Sequence, residues 1–266
     1  MEIKTEKPNI YDQLWDPQAY LRQYHSQEFI TDDEEAIYQR LVAFLKRTGR
    51  TYKQALDVGC GPTVYLHTAL APYVGELHLA DYVPENLSEI QKWLQGEAGA
   101  HNWDSNIRHV LEIERQTQVS QAEIEERKAL MRRKVTTLKH CDLRQTQSLG
   151  KGAAYDLVLS AYCVDAATDS KQEWQRLTRN LLSLCADGGT IVLISSRKAR
   201  RYKIEDKCFP EANVDETDIA EALAGAGFDP QHTQIEVVPI KTWAELAFDS
   251  IVIAIAEKAT TGETGR

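Results

Sequence analysis

Apolar residues first recur at helical spacing over residues 33–48. Ile37, Leu41, Phe44 and Leu45 fall on one face there, ahead of Gly49, which predicts an amphipathic helix closed by glycine. Upstream, Asp16 before Pro17 marks another helix start, because the acid can cap and the proline suits a first helical position. Past Gly49 the pattern changes to strand–helix alternation. ALDVGCGP is a short apolar run ending in glycines, and ELHLAD is a second run ending in an acid; VTTLKHCDL, YDLVLSAYC and TIVLISS continue the strand series. Between them TVYLHTALAPYV reads as a helix or a broken helix. PENLSEIQKWLQ carries Leu87, Ile90 and Leu94 on one face, and residues 172–185 carry Trp174, Leu177, Leu181 and Leu184 in phase. Residues 215–226 make a further helix closed by Gly225 and Gly227, and Asp187-Gly188-Gly189 is expected to be a turn. QIEVVPI and DSIVIAIAE follow one another with no helix between them, so they are read as an antiparallel pair.

Residues 97–135 stand apart as long, charged and poor in β-branched residues. QAEIEERKALMRRKV within them reads as an exposed helix carrying an i,i+4 pair of Glu123 and Arg127, its charged face read as a solvated spacer. The alternation elsewhere predicts an α/β fold with a mainly parallel sheet and helices on both faces. We expect one domain over 1–266: an N-terminal helical addition at 1–48, a core at 49–258 and a polar tail at 259–266.

Composition narrows the classes. The chain of 266 residues is 42% hydrophobic, as globular proteins are. No run approaches the roughly 20 apolar residues of a membrane span. The opening MEIKTEKPNIYDQLWDP lacks an apolar signal region, so a soluble cytoplasmic protein is expected. The formal charge is −9, and the only dense basic cluster is Arg197, Lys198, Arg200, Arg201 and Lys203. One such cluster is poor support for nucleic-acid binding. The five cysteines are widely spaced without a CxxC, and the seven histidines show no HExxH or HxxxH pairing; neither a disulfide framework nor a metal site is expected. A monomer or weak dimer acting on a small molecule fits this picture.

The sharpest local signal is Asp57-Val58-Gly59-Cys60-Gly61-Pro62-Thr63. Ligands of open α/β sheets bind beyond the carboxyl ends of the strands, and glycines there let the backbone approach a ligand closely. Asp81 ends the second strand, where an acid can accept hydrogen bonds from both ribose hydroxyls of an adenosine. Val64 stands where a pyrophosphate-binding GxGxxG would have its third glycine, and no GK[ST] occurs. Both facts weigh against nicotinamide dinucleotides and nucleoside triphosphates, but not against S-adenosylmethionine, which has no phosphate. Asp142 ends the third core strand. It either holds the adenine amino group, with Leu143 packed on the ring, or makes a local Asx turn.

These residues lie among dispersed motifs that together resemble the nicotinamide, phenylethanolamine and indolethylamine N-methyltransferases, a family of class I S-adenosylmethionine-dependent enzymes with a Rossmann-like seven-stranded sheet whose last strand is antiparallel. The motifs are Tyr11; Asp16-Pro17-x-x-Tyr20-Leu21-x-x-Tyr24; Asp57 through Tyr65; Asp81-Tyr82-x-x-x-Asn86-Leu87; Lys92-Trp93-Leu94; Cys141-Asp142-Leu143; and Leu159 through Ala166. The resemblance runs over about 11–258. It implies that Tyr11, Tyr20 and Tyr65 line the methionine end of the cofactor, and that Gly59, Gly61 and Thr63 approach its carboxylate or ribose. Asp81, Tyr82 and Asn86 would hold the ribose and ammonium region, Asp142 and Leu143 the adenine, and Ala161 would sit near the sulfonium. The N-terminal segment would act as a lid. Tyr20 and Asp165 are the catalytic candidates, since relatives with amine substrates carry an acid at the place of Asp165; a helix N-cap before Ala166 is its structural alternative. Tyr24, Asp165, Ser195, Arg197 and Tyr202 are the candidate acceptor contacts, with Glu245 and Asp249 weaker ones.

The chain departs from the family at three places. Ser195 replaces an acid present in the nicotinamide enzyme, His25 replaces a tyrosine, and the segment after Ser195 is unusually basic. The first argues against nicotinamide as acceptor. The last suggests an acceptor with a carboxylate or phosphate, which arginine pairs in bidentate fashion. Methyl transfer to oxygen or sulfur, a catalytically silent cofactor-binding protein and a dehydrogenase are the competing readings.

Overall fold

The computed structural model describes residues 9–26, 29–244 and 248–260. Helices α1 (Ile10–Leu14), α2 (Pro17–Tyr24) and α3 (Asp32–Thr48) precede strand β1 (Tyr52–Val58). Asp16 caps α2 by accepting from the backbone N–H groups of Gln18 and Ala19, and Gly49 closes α3 in a left-handed conformation. The chain continues through α4 (His67–Leu70), a 3-10 turn (Ala71–Tyr73), β2 (Val74–Asp81), α5 (Pro84–Gln95), α6 (Asp104–Arg115), α7 (Gln121–Lys134), β3 (Val135–His140) and β4 (Tyr155–Ala161). Then come α8 (Lys171–Leu182), β5 (Cys185–Ser196), β6 (Arg201–Ile204), β7 (Lys207–Pro210), α9 (Glu216–Gly225), β8 (Phe228–Pro239) and β9 (Ser250–Lys258).

Seven strands form one sheet in the order β3-β2-β1-β4-β5-β9-β8. Strands β1 to β5 pair in parallel, and β9 runs antiparallel between β5 and β8. The expected α/β class, its parallel core and its antiparallel final strand are all present. Side chains alternate across the pleat, so β4 feeds two cores: Leu157 and Leu159 join α3, α5, α6 and α7 on one face, while Val158 joins Trp174, Leu177, Ile219 and Leu223 of α8 and α9 on the other. Strand order reverses between β1 and β4, and the carboxyl ends of those two strands open the crevice described below. Among the described residues, no helix is long and apolar enough to cross a membrane.

Several expectations need correction. The charged stretch contains the expected helix as α7 and a second helix, α6, that the sequence pattern did not single out. Glu123 and Arg127 do not pair. Glu123 bonds Arg115 and closes a capping box with Ser120, while the buried Arg127 bonds Glu114 and donates to the Thr68 carbonyl at 2.6 Å. Ile124, Arg127 and Met131 form the packed side of α7, and a buried guanidinium takes partners from the elements packed on it. Asp187-Gly188-Gly189 lies inside β5, where the register against β4 shifts between Tyr155 and Leu157. The basic segment is partly strand: β6 and β7 form a separate antiparallel hairpin. Finally, α3 is core rather than cover, since Ile37, Tyr38, Leu41 and Leu45 are all buried in the main cluster. Residues 261–266 of the expected tail fall outside the described residues.

Candidate active site

A cavity of about 780 Å³ lies beyond the carboxyl ends of β1, β2 and β4, roofed by α1 and α2 and walled by the β6–β7 hairpin. Its floor is the glycine turn. Gly59 has φ +70° and donates its N–H to the Ala80 carbonyl at 2.8 Å. A Cβ there would stand 2.1 Å from the Cys163 sulfur. Gly59→Ala therefore combines a left-handed backbone with a collision. We expect it to cost at least about 1–3 kcal/mol from the backbone alone, read as a lower urea midpoint with unchanged slope.

Asp81 organises this turn. Its Oδ2 accepts from the Gly61 N–H at 2.8 Å, and its Oδ1 accepts from the Val83 N–H at 2.8 Å and the Asn86 amide at 3.0 Å. Burial raises its carboxyl pKa, opposed by those donors. The Oδ2 atom keeps acceptor capacity toward the cavity, which Asp81 lines. An adenosine diol fits that geometry. Asn86 in turn accepts from the Trp15 indole at 2.7 Å, so the roof is bonded to the floor.

The roof makes further ties. The Tyr11 hydroxyl donates to the Ala166 carbonyl at 2.8 Å and lies 2.9 Å from the Tyr202 hydroxyl. Tyr24 donates to the Lys203 carbonyl at 2.7 Å, and Tyr82 donates to Asp12 at 3.0 Å. Tyr11, Trp15 and Tyr202 pack around Phe209, and Tyr20 packs between Trp15 and Tyr24. Burial raises the phenol pKa of Tyr20, so it stays protonated and can donate, which suits binding rather than proton removal.

Of the residues singled out from sequence, Tyr11, Tyr20, Tyr24, Gly59, Gly61, Thr63, Tyr65, Asp81, Tyr82, Asn86, Asp142, Leu143, Ala161 and Tyr202 all line this cavity. Asp142 makes the Asx turn: its Oδ1 accepts from the Arg144 N–H at 3.0 Å, and its two oxygens also take the Arg144 guanidinium. That ion pair holds the Asp142 carboxyl below its usual range against the effect of burial. Arg144 lies 4.8 Å over the Tyr82 ring.

Three acceptor candidates are placed elsewhere. Ser195 is fully buried within β5 and does not line the cavity; alternation along the strand turns its neighbour Ser196 to the other side, against Asp165. Arg197 is bound in bidentate fashion by Glu216, at 2.6 and 2.9 Å, away from the cavity. Asp165 lies behind the wall rather than on it, 1% exposed, and caps no helix. Its Oδ2 accepts from the Ser196 N–H at 2.8 Å and hydroxyl at 3.0 Å. Asp249 is also off the wall, and Glu245 lies outside the described residues.

The acid that does reach the cavity is Glu211, just after β7. Its Oε2 lies 2.5 Å from the same Ser196 hydroxyl. One hydroxyl has one proton, so it cannot donate to two carboxylates at once. For both contacts to be hydrogen bonds, one of the two carboxyls must carry a proton. Burial pushes the Asp165 carboxyl up to about 6, and burial followed by the charge of Asp165 raises Glu211 well above the usual range. Sequence reasoning missed Glu211 because it sits on a hairpin too short to show a period. It also gave no role to Tyr162, a non-glycine residue at φ +52° whose hydroxyl donates to Asp33 at 3.0 Å.

Solved structures share this architecture. A magnesium protoporphyrin IX methyltransferase from Synechocystis with bound SAM matches at a TM-score of 0.56 and 16% identity, covering 91% of this chain and 90% of that one. A S-adenosylmethionine-dependent methyltransferase from Clostridium acetobutylicum matches at 0.55 and 10%, covering 91% and 98%. Together with the match of residues 4–259 to the NNMT/PNMT/TEMT family model, this fold defines a class I S-adenosylmethionine-dependent methyltransferase. Within that class the chain belongs to the NNMT/PNMT/TEMT family. It is similar to nicotinamide N-methyltransferase of Sus scrofa, 29% identical over 88% of this chain and 90% of that one. It is likewise similar to indolethylamine N-methyltransferase of Mus musculus (28%, covering 82% and 83%) and phenylethanolamine N-methyltransferase of Sus scrofa (27%, covering 85% and 82%).

Proposed function

We propose that this protein methylates the nitrogen of a small amine, with the acceptor lying between the aromatic roof and Glu211. The observation that carries the reading is the buried acid on the cavity wall, in contact with the Ser196 hydroxyl that Asp165 also meets. Such a pair keeps one negative charge where it can attract an ammonium group and take up its proton, leaving the nitrogen lone pair free to attack. Tyr11, Trp15, Tyr20 and Tyr202 suit a cation as well, since ring faces attract positive charge.

Bound S-adenosylmethionine supplies the methyl group as an electrophilic sulfonium. In this reading Asp81 and Asn86 hold its ribose, Gly59 and Gly61 admit its backbone-facing side, and Leu143 packs on its adenine. Tyr20, Tyr65 and Thr63 line its methionine end. The chain's main contribution is alignment, which can lower a barrier by about 7–11 kcal/mol. Residues 9–26 form the movable cover: the bonds from Trp15 to Asn86 and from Gln18 to Glu89 close it and exclude water. This boundary replaces the longer lid expected from sequence, because α3 is embedded in the core.

The test is S-adenosylhomocysteine production from S-adenosylmethionine with a panel of small amines, phenols and thiols. Turnover is expected with primary or secondary amines. Turnover restricted to phenols or thiols, or none with any acceptor, would remove the amine reading.

A further inference from the structure

We infer that Arg200 and Arg201 form an anion-binding site for the acceptor, so that the preferred substrate is a small amine that also bears a carboxylate or phosphate. This rests on the amine reading above for the orientation of the acceptor but draws on different residues.

The basic run after Ser196 divides sharply in the structure. Arg197 is held by Glu216, and Lys198 lies 3.5 Å from Asp215; both stand off the cavity wall. Arg200 and Arg201 are the two basic residues of the run that line the cavity. Neither side chain has an ion-pair or hydrogen-bond partner among the described residues. The chain carries a formal charge of −9, and several of its acids engage other arginines, as Glu114, Asp142, Glu173 and Glu236 do. Both are exposed and hydrated in the free protein, so the cavity wall carries two arginines that no acid among the described residues occupies and that an anionic ligand can engage.

The hairpin fixes their position relative to Glu211. The Glu211 N–H donates to the Arg200 carbonyl at 3.1 Å, one step beyond the β6–β7 pairing of Arg201 with Pro210. Residues from opposite ends of the hairpin thus become cross-strand neighbours, one offering a carboxyl and the other a guanidinium. The frame is anchored: Ala199 is 3% and Phe209 1% exposed. A planar guanidinium recognises carboxylate and phosphate alike through paired donors. Cation-attracting and anion-attracting groups side by side on one wall match a compact zwitterion. An uncharged-tailed amine would make no use of either arginine.

Calorimetric titration of the full-length protein, saturated with S-adenosylhomocysteine, tests this without requiring turnover. Tryptophan is compared with tryptamine for the carboxylate, and phosphoethanolamine with ethanolamine for the phosphate. We expect the anionic member of at least one pair to bind about tenfold tighter or better, as charge-assisted hydrogen bonds imply; the pair that shows the gain identifies the group. In the double variant Arg200→Ala/Arg201→Ala that advantage should collapse to within about twofold, and Arg200→Lys/Arg201→Lys should retain part of it. Equal binding within both pairs, or an advantage that survives the double alanine variant, overturns the proposal. So does a double variant that loses S-adenosylhomocysteine affinity while keeping the probe ratio, since the arginines would then serve the cofactor. Indole-3-propionate, which has the carboxylate and no amine, separates the two readings. If it binds as tightly as tryptophan and depends on the arginines, the anion site stands and the amine anchor at Glu211 fails.

Discussion

Replacing Asp81 by alanine is expected to weaken S-adenosylhomocysteine binding by at least about 100-fold, which calorimetric titration would read directly. A hydrogen bond to a charged group contributes about 1.5–3 kcal/mol net. Two ribose hydroxyls on one carboxylate would then supply about 3–6 kcal/mol, where 1.4 kcal/mol is tenfold. The loss extends beyond those bonds, because Asp81 also accepts from Gly61, Val83 and Asn86 and so shapes the turn that faces the ligand. Asp81→Asn keeps the volume but turns an amide NH₂ toward donors. It should lie between wild type and Asp81→Ala. A folded Asp81→Ala protein that binds S-adenosylhomocysteine within threefold of wild type would exclude the ribose role.

Glu211→Gln should lower kcat/KM for the best amine acceptor by about 10²–10³, the usual range for losing a positioned acid–base group. The double variant Asp165→Asn/Glu211→Gln should also lose the acidic limb of the pH–rate profile. As pH falls the Asp165–Glu211 pair takes up its second proton, the negative charge disappears, and wild-type kcat/KM declines; Asp165 still titrates in the single variant, whereas the double variant has neither carboxyl. A double variant that keeps the acidic limb would place the titrating group elsewhere.

The pair also sets a sign for stability. Burial raises both carboxyls in the folded state, so the folded protein holds protons that the unfolded chain releases near pH 4. The folded state binds more protons, and stability falls as pH rises. For Asp165 the fall spans roughly pH 4 up to its folded value of about 6, and Glu211 extends it upward. Urea denaturation at several pH values should show this decline in wild type and a shallower one in Glu211→Gln.

The sequence alone determined the presence and order along the chain of the seven sheet strands, though not the full extent of β5 and β8, and with them the glycine turn at Gly59 and Gly61 and the acid at Asp81. Each is a local signal: apolar runs of strand length bounded by turn residues, helices at period 3.6, and a side chain whose place at a strand end follows from where that strand stops. The motifs around Tyr11, Tyr20, Tyr65 and Asn86 marked further residues that do line the cavity, though their spacing alone assigned them no chemistry.

Tertiary structure decided what depends on register and long-range pairing. Ser195 and Ser196 are adjacent, yet only Ser196 meets Asp165, because successive strand side chains face opposite ways. Arg197 and Arg200 look alike in a basic run, yet Glu216 at the start of α9 takes the first and leaves the second at the cavity. Asp165 was expected at the acceptor, but the strand geometry sets it behind Ser196 and brings Glu211 forward from the end of a four-residue strand. A strand that short shows no period, and no local preference encodes which distant partner a charge will meet. Those choices are made only when the β6–β7 hairpin, β5 and the N-terminal roof close around one cavity.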